Sequence, residues 1–278
     1  MSIERTLYGA MCFYRNSYNL LGIAKKIIAI FERNLPGIPI TDFYLDESPL
    51  PSIEKYLKYD YGKLCKHLEN NRFRSLSIAV FPENVPEKDS AYSSFYLSLS
   101  ESEGRGIKCM ILELNFSESI YVENSKNVIN FCDELAVDFE IESGHLHDLE
   151  DLSDQNQTGP HWFKLKGKTI DPSKLKYSEE FNEEVIDIEK NPCHTHVVGA
   201  VDFTSAWTVY LGKEFLEAIP IKNISNLDGE IVKLKDNLIR VTLFKNPFAS
   251  YVKENIDKLW DFRKRLNIDK IAHQLLDI

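Results

Sequence analysis

His194 and His196 stand one residue apart in the run Cys193-His194-Thr195-His196. On an extended strand alternate residues share a face, so both imidazoles could ligate one metal ion. Such a centre needs a third protein ligand, and the spacing singles out no residue to supply it. The plainer explanation is two polar positions at the start of a strand. A second group joins His145 and His147 to Asp148, Glu150 and Asp151. Histidines beside carboxylates could chelate a divalent ion or carry raised pKa values, although a mixed polar loop has the same composition. No P-loop, GxGxxG, GxSxG or HExxH pattern is present to define a reaction.

The densest charge lies between Asn127 and Phe163. That window holds Asp133, Glu134, Asp138, Glu140, Glu142, Asp148, Glu150, Asp151 and Asp154, with no lysine or arginine. The whole chain carries a net charge of −10, so the window holds nearly all of the imbalance. A field this lopsided steers a basic partner and raises its encounter rate. A solvated helix face and loop would also read this way. Trp162, beside His161 and Phe163, adds a candidate aromatic anchor of the kind that dominates interface energy, while a core tryptophan fits the same position.

The elements that must hold these residues can be read from pattern. Strand-like runs occur at Thr6–Tyr14, Asp42–Leu45, Leu76–Phe81, Phe95–Ser100 and Ile107–Leu114, the last apolar on nearly both faces and therefore central. Asn16 or Ser17 caps a helix to Asn34, Ser52 caps one reaching Leu68, and Ser125 caps one carrying the first acidic residues. The segment 143–160 has turn and polar composition and reads as an exposed loop. A helix is expected at Ser178–Lys190 with Phe181, Val185 and Ile188 inward, a strand at His194–Phe203, and a helix from Thr204 or Ser205 through Trp207 and Tyr210. Glu230–Phe244 reads as a hairpin turning at Asp236-Asn237, with Val232 and Leu234 facing the same way as Ile239 and Val241. A last helix is expected at Ser250–Leu266.

The implied fold is α+β, mainly antiparallel sheet with helices packed on one side, in a single compact unit 1–278. A division into 1–142 and 161–278 would fall at the acidic loop 143–160. Gly9-Ala10-Met11-Cys12-Phe13 is echoed by Gly199-Ala200-Val201-Asp202-Phe203, which would suit two similar halves. At 278 residues with 43% hydrophobic and 12% aromatic content, the chain can bury a substantial core. Its pI near 5.3 argues against sequence-independent nucleic-acid binding. Five scattered cysteines without a CxxC pair read as reduced core thiols. The richest apolar stretch, Leu20–Phe31, is split by Lys25 and Lys26, so neither a signal peptide nor a membrane span is expected, and the expected location is cytoplasmic.

The opening TLYGAMCFYRNSYNLLGIAKKIIAIF, the run AWTVYLGKEFLEAI and the closing KNPFASYVKENIDKLWDFRKRL resemble the immunity proteins of bacterial polymorphic and type VI toxin systems. The nearest groups are immunity protein 52 and the related type VI immunity family. The resemblance covers about half of the chain and consists of packing patterns in order. Lys245-Asn246-Pro247-Phe248 stands where a Gly- and Asp-rich turn would be expected. The resemblance implies a non-enzymatic protein without cofactor that binds and blocks a cognate toxin, often nuclease-like, and it carries over no catalytic residues. A nuclease site attracts phosphate and is therefore basic, so dense carboxylates could occupy it. The expected partner is thus a toxin with a basic surface, not nucleic acid or membrane. Two alternatives remain: a metal-dependent hydrolase using His194 and His196, and a scaffold for some other basic protein.

Overall fold

The computed structural model describes residues 4–14, 20–46, 56–70, 75–83, 85, 88–104, 107–198 and 201–276. Fourteen strands and nine helices occur among them. In chain order they are β1 (Thr6–Tyr14), α1 (Leu20–Asn34), β2 (Asp42–Asp46), β3 (Leu57–Lys58), α2 (Tyr61–Asn70), β4 (Ser75–Val80), β5 (Phe95–Gly104), β6 (Ile107–Ser117) and α3 (Glu118–Asp138). Then come β7 (Ser143–Asp148), α4 (Leu149–Asn156), α5 (Pro160–Leu165), β8 (Leu175–Ser178), β9 (Glu183–Ile186), β10 (His196–Val198), β11 (Val201–Phe203) and β12 (Thr208–Leu211). The chain closes with α6 (Lys213–Ala218), α7 (Ile221–Ser225), β13 (Glu230–Lys235), β14 (Leu238–Thr242), α8 (Lys253–Leu266) and α9 (Ile268–Leu276).

Ten strands form one sheet in the order β13-β14-β12-β7-β1-β6-β5-β4-β2-β3. Every pairing in it is antiparallel, which gives the expected α+β class. Alternation decides its faces. Leu7, Met11 and Phe13 of β1 share a side with Phe95 and Leu97 of β5 and with Leu112, Leu114 and Phe116 of β6, all buried. Helices α1 and α3 cover this side. Phe31 packs on Phe95 and Phe131 at ring separations of 4.6 and 5.8 Å, and Phe13 stacks on Phe139 at 5.1 Å. The sheet's other side carries Ala10, Cys12, Ile111 and Ser143 and is covered in part by β11, whose Asp202 carbonyl accepts from the Ser143 hydroxyl at 2.7 Å. At Gly9 an added Cβ would lie 2.4 Å from the Leu146 Cδ2 of β7, so a larger residue there would require that side chain to move.

Several expected elements differ. Segment 143–160 is not a loop: its first six residues form β7, buried throughout and paired with both β1 and β12, and α4 follows directly. The helix expected at Ser178–Lys190 is a hairpin, β8–β9, ending in a short turn of helix at Ile188–Lys190. The strand His194–Phe203 is a second hairpin, β10–β11, and Thr208–Leu211 is strand rather than helix. Helix α3 starts at its Ser117 cap; the expected cap Ser125 instead follows a break at Asn124 (φ −129°, ψ 25°). The Asp236-Asn237 turn is present, but a bulge between Lys233 and Lys235 pairs Val232 with Arg240 and Lys233 with Ile239, which moves Val232 to the face opposite the expected one. Leu57, expected on a helix, lies in β3. The caps proposed at Asn16, Ser17 and Ser52 and the Gly199-Ala200 pair lie outside the described residues. Of the two echoed runs, Gly9–Phe13 lies in the centre of the sheet, whereas Val201–Phe203 forms part of a separate two-stranded sheet. None of the five cysteines forms a disulfide; Cys12, Cys109, Cys132 and Cys193 are buried. No helix among the described residues is long and apolar enough to cross a membrane.

Candidate functional site

The two histidine groups meet on the side of the sheet opposite α1 and α3. Strand alternation places His145 and His147 on the face of Ala10 and Tyr8. His147 Nδ1 accepts the Trp207 backbone N–H at 2.9 Å, so its proton is assigned to Nε2. That nitrogen lies 2.7 Å from Asp151 Oδ2 and 3.9 Å from Cys193 Sγ. Burial raises the Asp151 carboxyl, but the His147 contact and a bond from Gln155 outweigh it and hold it below the usual range. Burial pushes the Cys193 thiol well up. A nucleophilic cysteine needs a partner with a free lone pair to take its proton. His147 has spent one nitrogen on the backbone and directs the other at a carboxylate, so this Cys-His-Asp group is a buried clamp joining β7, α4 and the Cys193 segment.

Around His194 and His196 the structure supplies the ligand that spacing left open. Asp269, at the start of α9, has Oδ1 2.7 Å from His196 Nε2 and 3.3 Å from His194 Nε2. Arg263 from α8, only 1% exposed, enters the same space. Its Nη2 contacts His194 Nε2 and Asp269 Oδ1 and lies 2.9 Å from His196 Nε2, while Nη1 donates to the carbonyls of Pro192 and His194 at 2.9 and 2.8 Å. Burial lowers the His194 pKa. Burial also raises Asp269, yet its bonds from Arg263 and His196 prevail and hold it at about 2. The guanidinium therefore occupies the point on which the three ligand atoms converge. The cluster gathers His194 Nε2, Asp269 and two backbone carbonyls as acceptors around a cation that the chain itself provides.

The acidic window is dismantled by folding. Asp133 pairs with Arg240 and accepts from Tyr210 at 3.0 Å; Glu134 pairs with Arg33 and accepts from Asn34 at 2.7 Å. Asp138 meets Lys26 at 3.4 Å and Glu140 meets Lys235 at 3.5 Å. Asp148 is buried, pairs with Arg5 and caps α4 by accepting from Glu150 N–H at 3.1 Å. Glu150 meets Lys168 at 2.5 Å, and Asp154 contacts both Lys166 and Lys168. Asp151 is held by His147, and Glu142 accepts from the Glu214 backbone N–H at 3.2 Å. Glu150 and Asp154 thus share one lysine, whereas the α3 carboxylates pair with α1 and β14 and Glu140 with β13. Trp162 is half-buried on α5 with Lys166 Nζ 4.8 Å from its ring.

An exposed feature that sequence pattern placed in a helix is the β8–β9 hairpin. Tyr177 and Phe181 are 60% and 61% exposed there, among Glu179, Glu180, Glu183 and Glu184, all exposed. One signal was available: Asn182 tolerates the left-handed backbone it adopts (φ 53°), which a helix interior does not use. A cavity of about 790 Å³ lies elsewhere, lined by Trp207, Arg240, Phe244, Asn255 and Lys258 among others; its buried Arg240 is already paired with Asp133 and Glu230.

No family model matches the chain, and no curated protein matches it in sequence. Among solved structures, the chain is similar to the T6SS protein PA0821 of Pseudomonas aeruginosa. The two align with a TM-score of 0.59 at 11% identity over 95% of this chain and 72% of that one, which is a likeness of fold.

Proposed function

We propose that this chain is a non-enzymatic immunity protein of the type VI secretion setting, which binds a cognate toxin and covers its active site or substrate surface. The observation that carries the reading is the fold shared over 95% of the chain with a T6SS protein. The local chemistry favours binding over catalysis: His147 cannot serve Cys193 as a base, and Arg263 fills the His194–His196–Asp269 convergence. The proposed partner has a basic surface, and a nuclease-like toxin fits that description. Of the acidic window, Glu140 and Glu150 keep exposed carboxylates to offer such a partner, with Trp162 near the latter's lysine-bridged neighbours. The remaining window carboxylates act in this reading by shaping the field at longer range.

The second reading, a metal-dependent hydrolase, has one observation in its favour: Asp269 completes a three-ligand set with His194 and His196. It requires Arg263 to withdraw and metal to bind near stoichiometrically. Co-expression with the product of the adjacent gene tests the first reading. Toxicity of that product alone, growth rescued by this chain and co-purification of the pair are the expected results. An unrescued or non-toxic neighbour with no complex would refute it, and stoichiometric metal in the purified chain would replace it with the second.

A further inference from the structure

The β8–β9 hairpin forms a two-stranded sheet of its own, apart from the ten-stranded one. Its base is fixed: Val185 and Ile186 are buried, Ile186 N–H donates to the Thr158 carbonyl at 2.8 Å, and α5 packs against β9. Its tip is also ordered. The Tyr177 hydroxyl donates to Asn182 Oδ1 at 2.5 Å across the turn, and Phe181 N–H donates to Ser178 Oγ at 3.4 Å. Both rings nevertheless remain largely exposed. Leu165, on the neighbouring α5, is likewise mostly exposed.

Isolated exposed apolar side chains need no explanation, but two aromatic rings on one hydrogen-bonded turn present paired anchors on a backbone that is already folded. Their surroundings state what they are built to meet. Glu179, Glu180, Glu183 and Glu184 have no arginine or lysine paired with them among the described residues. The nearest lysine in sequence, Lys176, is 2.7 Å from Asp187 instead. This contrasts with the 127–163 window, whose carboxylates the fold pairs internally. A second copy of this chain would bring like charge to this tip, and a nucleic acid would do the same, so complementarity selects a basic protein surface with an apolar recess.

We infer that the β8–β9 hairpin is the toxin-contacting element, with Phe181 and Tyr177 as anchors and Glu179, Glu180, Glu183 and Glu184 as the charges that steer a basic partner; this rests on the immunity reading above. The four carboxylates set association rate and register, and the rings set the lifetime of the complex.

The test titrates the catalytically inactivated product of the adjacent gene against the purified full chain, with Phe181→Ala/Tyr177→Ala and Glu179→Lys/Glu180→Lys/Glu183→Lys/Glu184→Lys variants. Because these side chains are exposed, circular dichroism and melting should match wild type, and the single variant Phe181→Ser serves if the double variant does not. The expected result is roughly a 30-fold or greater loss of affinity for the aromatic variant, mostly in dissociation rate. The charge variant should associate roughly tenfold or more slowly at low salt, a difference that shrinks as salt rises. Wild-type binding matched by both variants overturns the hairpin assignment and leaves the immunity reading standing. No binding by wild type overturns both. Light scattering that shows a wild-type dimer lost in the aromatic variant overturns the assignment in favour of self-association.

Discussion

Replacing Arg263 by methionine tests whether a guanidinium or a metal is the native centre of the His194–His196 cluster. Methionine keeps most of the buried stem volume, so the loss reports on the charged head. The buried Pro192 carbonyl and His194 Nε2 lose their donor, while the His194 carbonyl keeps the Thr204 hydroxyl at 3.2 Å. Asp269 is half exposed and rehydrates, so its lost pairing contributes little. An orphaned buried acceptor costs about 1–3 kcal/mol, so the Pro192 carbonyl and His194 Nε2 together suggest about 4 kcal/mol. That falls within the range of about 3–5 kcal/mol for breaking a buried ionic contact. For a chain of this size it corresponds to a fall in melting temperature of roughly 8–16 °C. The same substitution leaves the ligand atoms of His194, His196 and Asp269 within 4.8 Å of one another with no cation between them. Zinc should therefore stabilise Arg263→Met and not wild type, by about 2.7 kcal/mol at a hundredfold excess over its dissociation constant. Urea denaturation with and without zinc, alongside metal analysis, measures both effects. Wild type stabilised by zinc as strongly as the variant, or a variant within about 1 kcal/mol of wild type, would refute the assignment of Arg263 as the centre.

Two further outcomes follow from buried charge. His145 has its pKa driven down to about 4 from 6.5, first by burial and then by His147, and its Nε2 has no partner among the described residues. The unfolded chain therefore takes up a proton that the folded chain refuses, and stability falls between about pH 6.5 and 4 by roughly 3 kcal/mol; His145→Phe should flatten that slope in pH-dependent denaturation, and an unchanged slope would place its origin elsewhere. Asp148→Ala removes both the α4 cap and the buried partner of Arg5, for a loss of about 3 kcal/mol in chemical denaturation; intact stability with weakened binding of the proposed partner would instead make Asp148 a contact residue.

Elements whose apolar residues follow one period were legible in the sequence. β1, α1, β4, β5 and β6 show their buried faces directly, and the β13–β14 turn was visible in Asp236-Asn237. β7 was not legible because its burial is polar. Ser-Gly-His-Leu-His-Asp has loop composition, yet Asp202, Trp207, Asp151 and Arg5 supply partners to Ser143, His147 and Asp148. β12 failed for a related reason: Thr-Val-Tyr-Leu after a tryptophan fits a helix stripe as well as a strand, and pairing with β7 and β14 decides it. In each case tertiary partners overrode a weak local preference.

The acidic window shows the same limit acting on function. Its apparent surplus of charge arises because the balancing cations are remote in sequence: Arg5, Lys26 and Arg33 precede it, while Lys166, Lys168, Lys235 and Arg240 follow it. Charge counted along the chain measures what a segment carries, whereas a partner meets what the folded surface leaves unpaired. The −10 of the whole chain must still appear somewhere on that surface. Part of it appears at the β8–β9 turn, where a hairpin of low apolar content left four glutamates and two aromatic rings facing outward. A charge-reversed window should therefore cost folding stability before it costs association, and a charge-reversed hairpin should do the opposite. Comparing the two variants in one denaturation and one association experiment separates internal neutralisation from recognition.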